Sequence, residues 1–138
     1  MGFVDLHVHS DASDGTLHLP SCRTGKNAGL DAIALTDHDT TAGVDEALEA
    51  AHHLNIEVIP GIEVSSSFDG TEIHILGLFV DQKDPVLAAM LEKMLISRDR
   101  RNERMLENLA ADGITFTKEE LAETIRTPLS QELILHMP

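Results

Sequence analysis

The chain of 138 residues has the length of one ordinary domain, and its apolar fraction of 42% is that of a globular protein with a core. Its formal net charge of −14 argues against wrapping of long nucleic acid, because that mode of binding needs a basic face. The apolar stretches are too short to span a bilayer, and the single Cys22 cannot form an internal disulfide. We therefore expect a soluble, cytoplasmic protein with neither a membrane nor a long nucleic acid as its partner.

The N-terminal third predicts two strands separated by a short helix. Phe3 to Val8 alternates apolar and polar positions and predicts a strand, which ends in a polar loop from His9 to Gly15. Pro20 suits the first turn of a helix that Gly29 would end. Ala32 to Leu35 is a compact apolar run, typical of a buried parallel strand.

The same alternation continues through residue 80. A second helix is predicted from apolar residues at helical spacing, namely Val44, Ala47, Leu48, Ala51 and Leu54. Glu57 to Ile59, Ile62 to Ser66 and Thr71 to Val80 each predict a strand. This order indicates an α/β fold with a largely parallel sheet or barrel, in which functional residues collect at the carboxyl ends of strands.

The pattern then changes to that of a long helix. Its predicted apolar face contains Leu87, Met90, Leu91, Met94 and Leu95. Thr117 followed by Glu120 has the pattern of a capping box that begins one more helix, through about Ile125. We therefore divide the chain into residues 1–83, which contain the strands, and residues 84–138, a helical segment.

Histidine and carboxylate residues recur where the predicted strands end. His7 and His9 are alternate strand residues, so both imidazoles can reach one ion, although this pair alone is equally compatible with two polar residues at a strand end. The other candidate ligands are Asp14, His38, Glu63 and His74. Nitrogen and oxygen ligands without thiolates suit Zn, Mn or Fe, so we predict a cluster of two or three divalent ions.

Such a cluster favours hydrolysis of a phosphoester. Ions about 3.5–4 Å apart lower the pKa of a bound water and hold phosphoryl oxygens, so the expected nucleophile is a metal-bound hydroxide and no catalytic side chain is predicted. The cations would attract a phosphate group while the acidic surface repels polyanions. We therefore expect a small phosphorylated substrate or a short strand end.

Four motifs, within roughly the first 80 residues, resemble the first motifs of the PHP (polymerase and histidinol phosphatase) superfamily of metal-dependent phosphoesterases. They are Asp5 to Ser10 with Ser13 to Gly15, Thr36 to Thr40, Pro60 to Ser65, and His74 to Gly77. The sequence is most similar to the branch that includes nucleoside 3′,5′-bisphosphate phosphatases and 5′-to-3′ exonucleases acting on short RNA ends.

The resemblance implies a distorted (β/α) barrel with a trinuclear metal site. It implies that His7 and His9 bind one ion. It also implies that Glu63 bridges this ion to a second one, which His74 binds as well. Asp14 and His38 would hold the third ion, and a nucleoside bisphosphate or a short RNA end would be the substrate.

The sequence departs from the family pattern after His74. Members of that branch continue through a helical insertion, a further metal-binding histidine and an Asp-x-His motif, whereas the one later histidine here, His136, has no companion acid. We therefore expect a partial barrel in a truncated chain, with the C-terminal segment as the start of the insertion. Two alternatives stay open: a non-catalytic metal-binding or interaction domain, and a sugar or histidinol phosphate phosphatase.

The long helix carries the one basic cluster of the chain. Guanidinium groups suit phosphate oxygens, but pairing with neighbouring acids on a solvated helix face is the simpler interpretation for Arg100, Arg101 and Arg104. Arg98 lies nearest the apolar face, and we predict that it binds substrate. Asp37 and Asp39 flank His38, and we interpret them as acceptors for an imidazole N–H or as turn residues, not as ligands.

Overall fold

A computed structural model describes residues 2–15, 21–117 and 120 of the chain. Within this part of the chain, strands and helices alternate and then give way to one long helix. The elements are β1 (Phe3–Val8), α1 (Ser21–Asn27), β2 (Leu30–Leu35), α2 (Val44–Leu54), β3 (Glu57–Phe68), β4 (Thr71–Leu78) and α3 (Pro85–Ala111). This order confirms the predicted α/β class.

The strands form one four-stranded mixed sheet in the order β1-β2-β3-β4. β1 and β3 both pair parallel with β2, whereas β3 and β4 form an antiparallel hairpin. Parallel pairing of β1, β2 and β3 brings their carboxyl ends to the same edge of the sheet. The predicted site residues that follow β1 and β2, His9 and His38, therefore lie at this edge.

β3 is longer than predicted, because it runs through Pro60 and Gly61 without a break. Its first part pairs with β2 up to the register position Leu35↔Pro60, and its second part pairs with β4 from Gly61↔Leu78 onward. Proline lacks an N–H, but the Pro60 carbonyl still accepts a hydrogen bond from the Val80 N–H at 3.0 Å. The change of partner therefore allows proline inside this strand.

The core lies between the sheet and α2. Ile33 and Leu35 of β2 are fully buried and pack with Val44 and Ala47, which α2 presents at helical spacing. α2 ends at Asn55, whose left-handed backbone (φ 50°) is a common helix terminus. This packing holds β2 at the centre of the sheet, where the segment after it carries His38.

The described residues divide into two compact units, residues 1–95 and residues 96–138, with the boundary inside α3. Thr117 and Glu120 form the predicted capping box, since the Thr117 N–H donates to Glu120 Oε2 at 2.8 Å and the Glu120 N–H donates to Thr117 Oγ1 at 3.1 Å. The rest of the helix that was predicted to run through about Ile125 lies outside the described residues, and so does His136. No helix among the described residues combines the length and the apolar character needed to cross a membrane.

Candidate metal centre

Backbone pairing brings His38 beside Glu63. The two residues form a parallel bridge beyond the end of β2. In it the Glu63 N–H donates to the Asp37 carbonyl at 3.1 Å, and the Asp39 N–H donates to the Glu63 carbonyl at 2.9 Å. Asp39 then adopts a left-handed backbone conformation (φ 54°), which ends the short pairing. The predicted role of Asp39 as a turn residue agrees with this geometry.

Glu63 is the centre of the cluster, and it is only 3% exposed. Its Oε2 lies 2.8 Å from His7 Nε2 and 3.0 Å from His9 Nε2. The same oxygen lies 3.4 Å from His38 Nε2, and Oε1 lies 2.8 Å from His74 Nδ1. Four imidazoles, two from strands β1 and β4 and two from the segments after β1 and β2, therefore surround a single carboxylate, an arrangement in which Glu63 can bridge two ions.

Asp14 approaches two of these rings, those of His9 and His38. Its Oδ1 lies 3.0 Å from His9 Nδ1, and its Oδ2 lies 3.7 Å from His38 Nε2. The side chain of Asp14 is 68% exposed, in contrast to that of Glu63. The cluster therefore has a closed side at Glu63 and a side open to solvent at Asp14.

The ligand atoms fall into three groups whose members lie within 4.8 Å of one another. The groups are His7–His9–Glu63, His9–Asp14–His38 and His38–Glu63–His74. Each pair of groups shares one residue, which is His9, His38 or Glu63. The structure thus brings together all six residues that the sequence singled out.

The cluster offers a specific test of whether it fits metal ions. His9 Nδ1 is buried and has no hydrogen-bond partner among the described residues, although Asp14 Oδ1 lies only 3.0 Å away. The two atoms are close, but the contact does not have the geometry of a hydrogen bond, and the nitrogen is unsatisfied. A buried nitrogen without a partner costs about 1–3 kcal/mol. Coordination would remove this cost, and nitrogen and carboxylate ligands suit divalent transition metals, so the residues fit the predicted ions.

Two members of the cluster, Glu63 and His74, have shifted pKa values. Burial raises the pKa of Glu63, but hydrogen bonds from His7 and His74 and the charge of His38 outweigh it, so the pKa ends below its usual value. The hydrogen bond to Glu72 raises the pKa of His74, and the Glu63 carboxylate acts in the same direction. Glu63 therefore stays ionised, as a metal ligand must be.

Two polar contacts near the cluster were not predicted from the sequence. The carboxylate of Asp37 accepts hydrogen bonds from Ser10 and Ser13, so the interpretation of Asp37 as an acceptor for an imidazole is wrong. Glu72 Oε1 lies 3.1 Å from His74 Nε2. Glu72 and His74 are alternate residues of β4, so the spacing used for His7 and His9 would have found this contact.

Arg98 lies on α3 in the second compact unit, and its side chain is half-buried. The substrate-binding role predicted for Arg98 stays a prediction. The division at residue 96 also lies within the predicted helical segment, 84–138.

Histidine and carboxylate side chains gathered at one edge of a mixed α/β sheet define the class as a metal-binding α/β barrel protein. The PHP domain family model matches residues 5–123, and the chain therefore belongs to the PHP domain family. This match confirms the resemblance that the four sequence motifs carry.

Two curated bacterial proteins and one solved structure are similar to this chain. A 5′-3′ exoribonuclease of Haemophilus influenzae is 41% identical over 111 residues, which are 80% of this chain and 40% of the relative. A 3′,5′-nucleoside bisphosphate phosphatase of Chromobacterium violaceum is 41% identical over 115 residues, which are 83% of this chain and 40% of the relative. This chain therefore spans about 40% of the length of these relatives.

The solved structure is an amidohydrolase from Chromobacterium violaceum with bound sulfate and no metal. It superposes with a TM-score of 0.79 at 36% sequence identity, covering 92% of this chain and 45% of that chain. The likeness confirms the predicted fold, a partial (β/α) barrel of the PHP type.

Proposed function

We propose that this chain carries the first part of the active site of a metal-dependent phosphoesterase. The reaction is the hydrolysis of phosphomonoesters or terminal phosphodiesters of small nucleotides or short oligonucleotides. The observation that supports it most strongly is the buried Glu63 carboxylate with four imidazoles around it. A buried carboxylate whose two oxygens both lie next to imidazoles is well placed to bridge two metal ions.

The proposed metal ligands are the six residues predicted from the sequence. His7 and His9 share one ion with Glu63, Glu63 and His74 share a second, and Asp14 with His38 holds a third. Divalent Mn, Fe or Zn ions bound there would activate water and neutralise charge on phosphoryl oxygens, which is the chemistry that hydrolysis needs. No side-chain nucleophile is part of the proposal.

The protein contributes the shape and charge of the site. Glu63 supplies a buried, ionised carboxylate, and the two ring nitrogens of His9 face two different carboxylates. Asp14 marks the solvent side, from which a substrate can approach. The rest of the acidic chain repels polyanions, so a small phosphorylated molecule is favoured over a long strand.

The relatives support the same substrate class. One is named as a 3′,5′-nucleoside bisphosphate phosphatase and the other as a 5′-3′ exoribonuclease. The solved relative holds a sulfate ion, which shares the tetrahedral shape and negative charge of a phosphate group. We propose a nucleoside 3′,5′-bisphosphate or a short RNA end as substrate, Arg98 as a binding residue, and the cytoplasm, which suits a lone cysteine, as the location.

The test measures metal content and phosphate release on the same samples. Elemental analysis of the purified chain is compared with that of His7→Ala and Glu63→Ala, and phosphate release is assayed with a nucleoside 3′,5′-bisphosphate. His52→Ala, an exposed histidine on α2, is the matched control and keeps both properties. Loss of metal and turnover in the two site variants supports the proposal. Bound metal without turnover would favour a non-catalytic metal-binding domain, and wild-type protein without metal would contradict the metal centre itself.

A further inference from the structure

The Asp37 carboxylate is buried and accepts three hydrogen bonds, although it is not one of the proposed ligands. Asp37 is 1% exposed. Its Oδ1 accepts from the Ser10 N–H at 2.7 Å and from the Ser13 hydroxyl at 2.6 Å. Its Oδ2 accepts from the Ser10 hydroxyl at 2.7 Å. All three donors lie in the loop after β1, whereas Asp37 lies in the segment after β2.

Each residue that makes these contacts is next in sequence to a proposed ligand. Ser10 follows His9, Ser13 precedes Asp14, and Asp37 itself precedes His38. The residues next to these contacts are therefore the three members of one ligand group, His9–Asp14–His38. Among the described residues, the Asp37 side chain bonds to Ser10 and Ser13 and to no ligand ring, so it acts on the ligands through the backbone.

The loop after β1 depends on this anchor for its shape. Ser10 is fully buried, and its carbonyl accepts from the Ser13 N–H at 3.2 Å and from the Gly15 N–H at 2.9 Å. A Cβ at residue 15 would overlap the carbonyl of His9, so the loop closes tightly only with glycine there. The Asp14 side chain is largely exposed, so its position is set by this loop and not by packing around it.

We propose that Asp37 is a positioning residue for one metal site of the cluster, the site formed by His9, Asp14 and His38. Its carboxylate ties the loop after β1 to the segment after β2, and so sets the distance between Asp14 and the two imidazoles. This inference rests on the proposed function. The remaining two ligand groups depend on it less, because each also contains the buried Glu63 and a strand residue outside this contact, His7 of β1 or His74 of β4.

The test is Asp37→Asn, which keeps the size of the side chain but replaces one acceptor oxygen with a donor. Metal titration of the full chain with Mn²⁺ and Co²⁺, followed by calorimetry and by cobalt absorption, counts the sites and their affinities. We expect one site to weaken by about 10- to 100-fold, the usual effect of losing a partner that orients a ligand. The other sites should stay within twofold of the wild type, which a general loss of stability would not produce.

Three variants make the result specific. Asp14→Ala should remove the same site. Ser13→Ala, which deletes the hydrogen bonds of its hydroxyl to Asp37 and, at 3.4 Å, to Asp14, should weaken it in part. The effects of Ser13→Ala and Asp37→Asn should be less than additive, because both disrupt the Ser13–Asp37 contact. Asp99→Asn, an exposed carboxylate on α3, is the matched control and should change nothing.

Circular dichroism and thermal unfolding of the metal-free proteins test folding. If Asp37→Asn does not fold, Ser13→Ala carries the test, and wild-type affinity at every site in that variant would overturn the inference. Folded Asp37→Asn with wild-type affinities would overturn it too, while loss of metal in Asp14→Ala would leave the proposed metal centre standing. If the wild type binds no ion, the proposed function fails, and the inference fails with it.

Discussion

His7 Nε2 lies 2.8 Å from Glu63 Oε2, although 56 positions separate the two residues in the chain. Their strands, β1 and β3, are not neighbours in the sheet, because β2 lies between them. The two side chains meet beyond the end of β2, which is at Leu35. Glu63 therefore joins ligands from both sides of the central strand, and its replacement should affect more than one ion.

Glu63→Gln should lose more metal than His7→Ala. Glu63 belongs to two of the three ligand groups, whereas His7 belongs to one. The amide keeps the size of the side chain but lacks the negative charge that a bridging ligand supplies. Elemental analysis of Glu63→Gln beside His7→Ala and His52→Ala measures the difference. Equal loss in Glu63→Gln and His7→Ala would contradict the shared role.

Glu72→Gln should lower the pKa of His74 in the metal-free protein. The hydrogen bond to Glu72 is the largest cause that raises this pKa, and a neutral amide would stabilise the imidazolium less. NMR titration of the imidazole C–H resonances would measure it. Glu57→Gln, at the start of β3, is an exposed control and should leave the His74 pKa unchanged. An unchanged pKa in Glu72→Gln would show that the contact is absent in solution.

Metal should reverse the pH dependence of stability near neutral pH. In the metal-free protein the raised His74 pKa stabilises the fold at low pH, and this contribution is lost as pH rises through the folded pKa, above about 6.5. The lowered Glu63 pKa acts in the acid range, where its contribution is lost as pH falls through the folded pKa. Metal ligands must be deprotonated, so stabilisation by metal should grow as pH rises instead.

Thermal unfolding with EDTA and with Mn²⁺, between about pH 5.5 and 8, measures this effect. At about 100 times Kd, one bound ion should stabilise the fold by about 2.7 kcal/mol. Melting temperatures that change in parallel in the two conditions would contradict metal binding by these imidazoles.

Leu35→Ala should destabilise the metal-free protein by about 2–5 kcal/mol, because it leaves a cavity in the core. Leu35 is fully buried between the sheet and α2. Urea unfolding gives the free energy, with Leu95→Ala as the matched control. Leu95 is 60% exposed, so its replacement should change stability by less than about 0.5 kcal/mol. A small effect of Leu35→Ala would mean that β2 is not the centre of the core.

Local patterns predicted most of the sheet and the six residues that the structure brings together. The alternation of His7 and His9 and the buried run before His38 were enough to place imidazoles near strand ends, because side-chain direction in a strand follows from sequence position. The prediction of a break near Pro60 was wrong, because β3 changes its partner there. The choice of partner strand is a long-range property that a local pattern does not contain.

The amino-acid sequence by itself determined the α/β class, the family and the six residues gathered in the cluster, since periodicity and motif order are local properties. Only the tertiary structure decided how these residues share their neighbours: Glu63 within four imidazoles, and Asp37 bonded to Ser10 and Ser13 instead of to a ring. Those contacts join segments far apart in the chain. They depend on the parallel register of β1, β2 and β3, which packing of the whole sheet against α2 fixes.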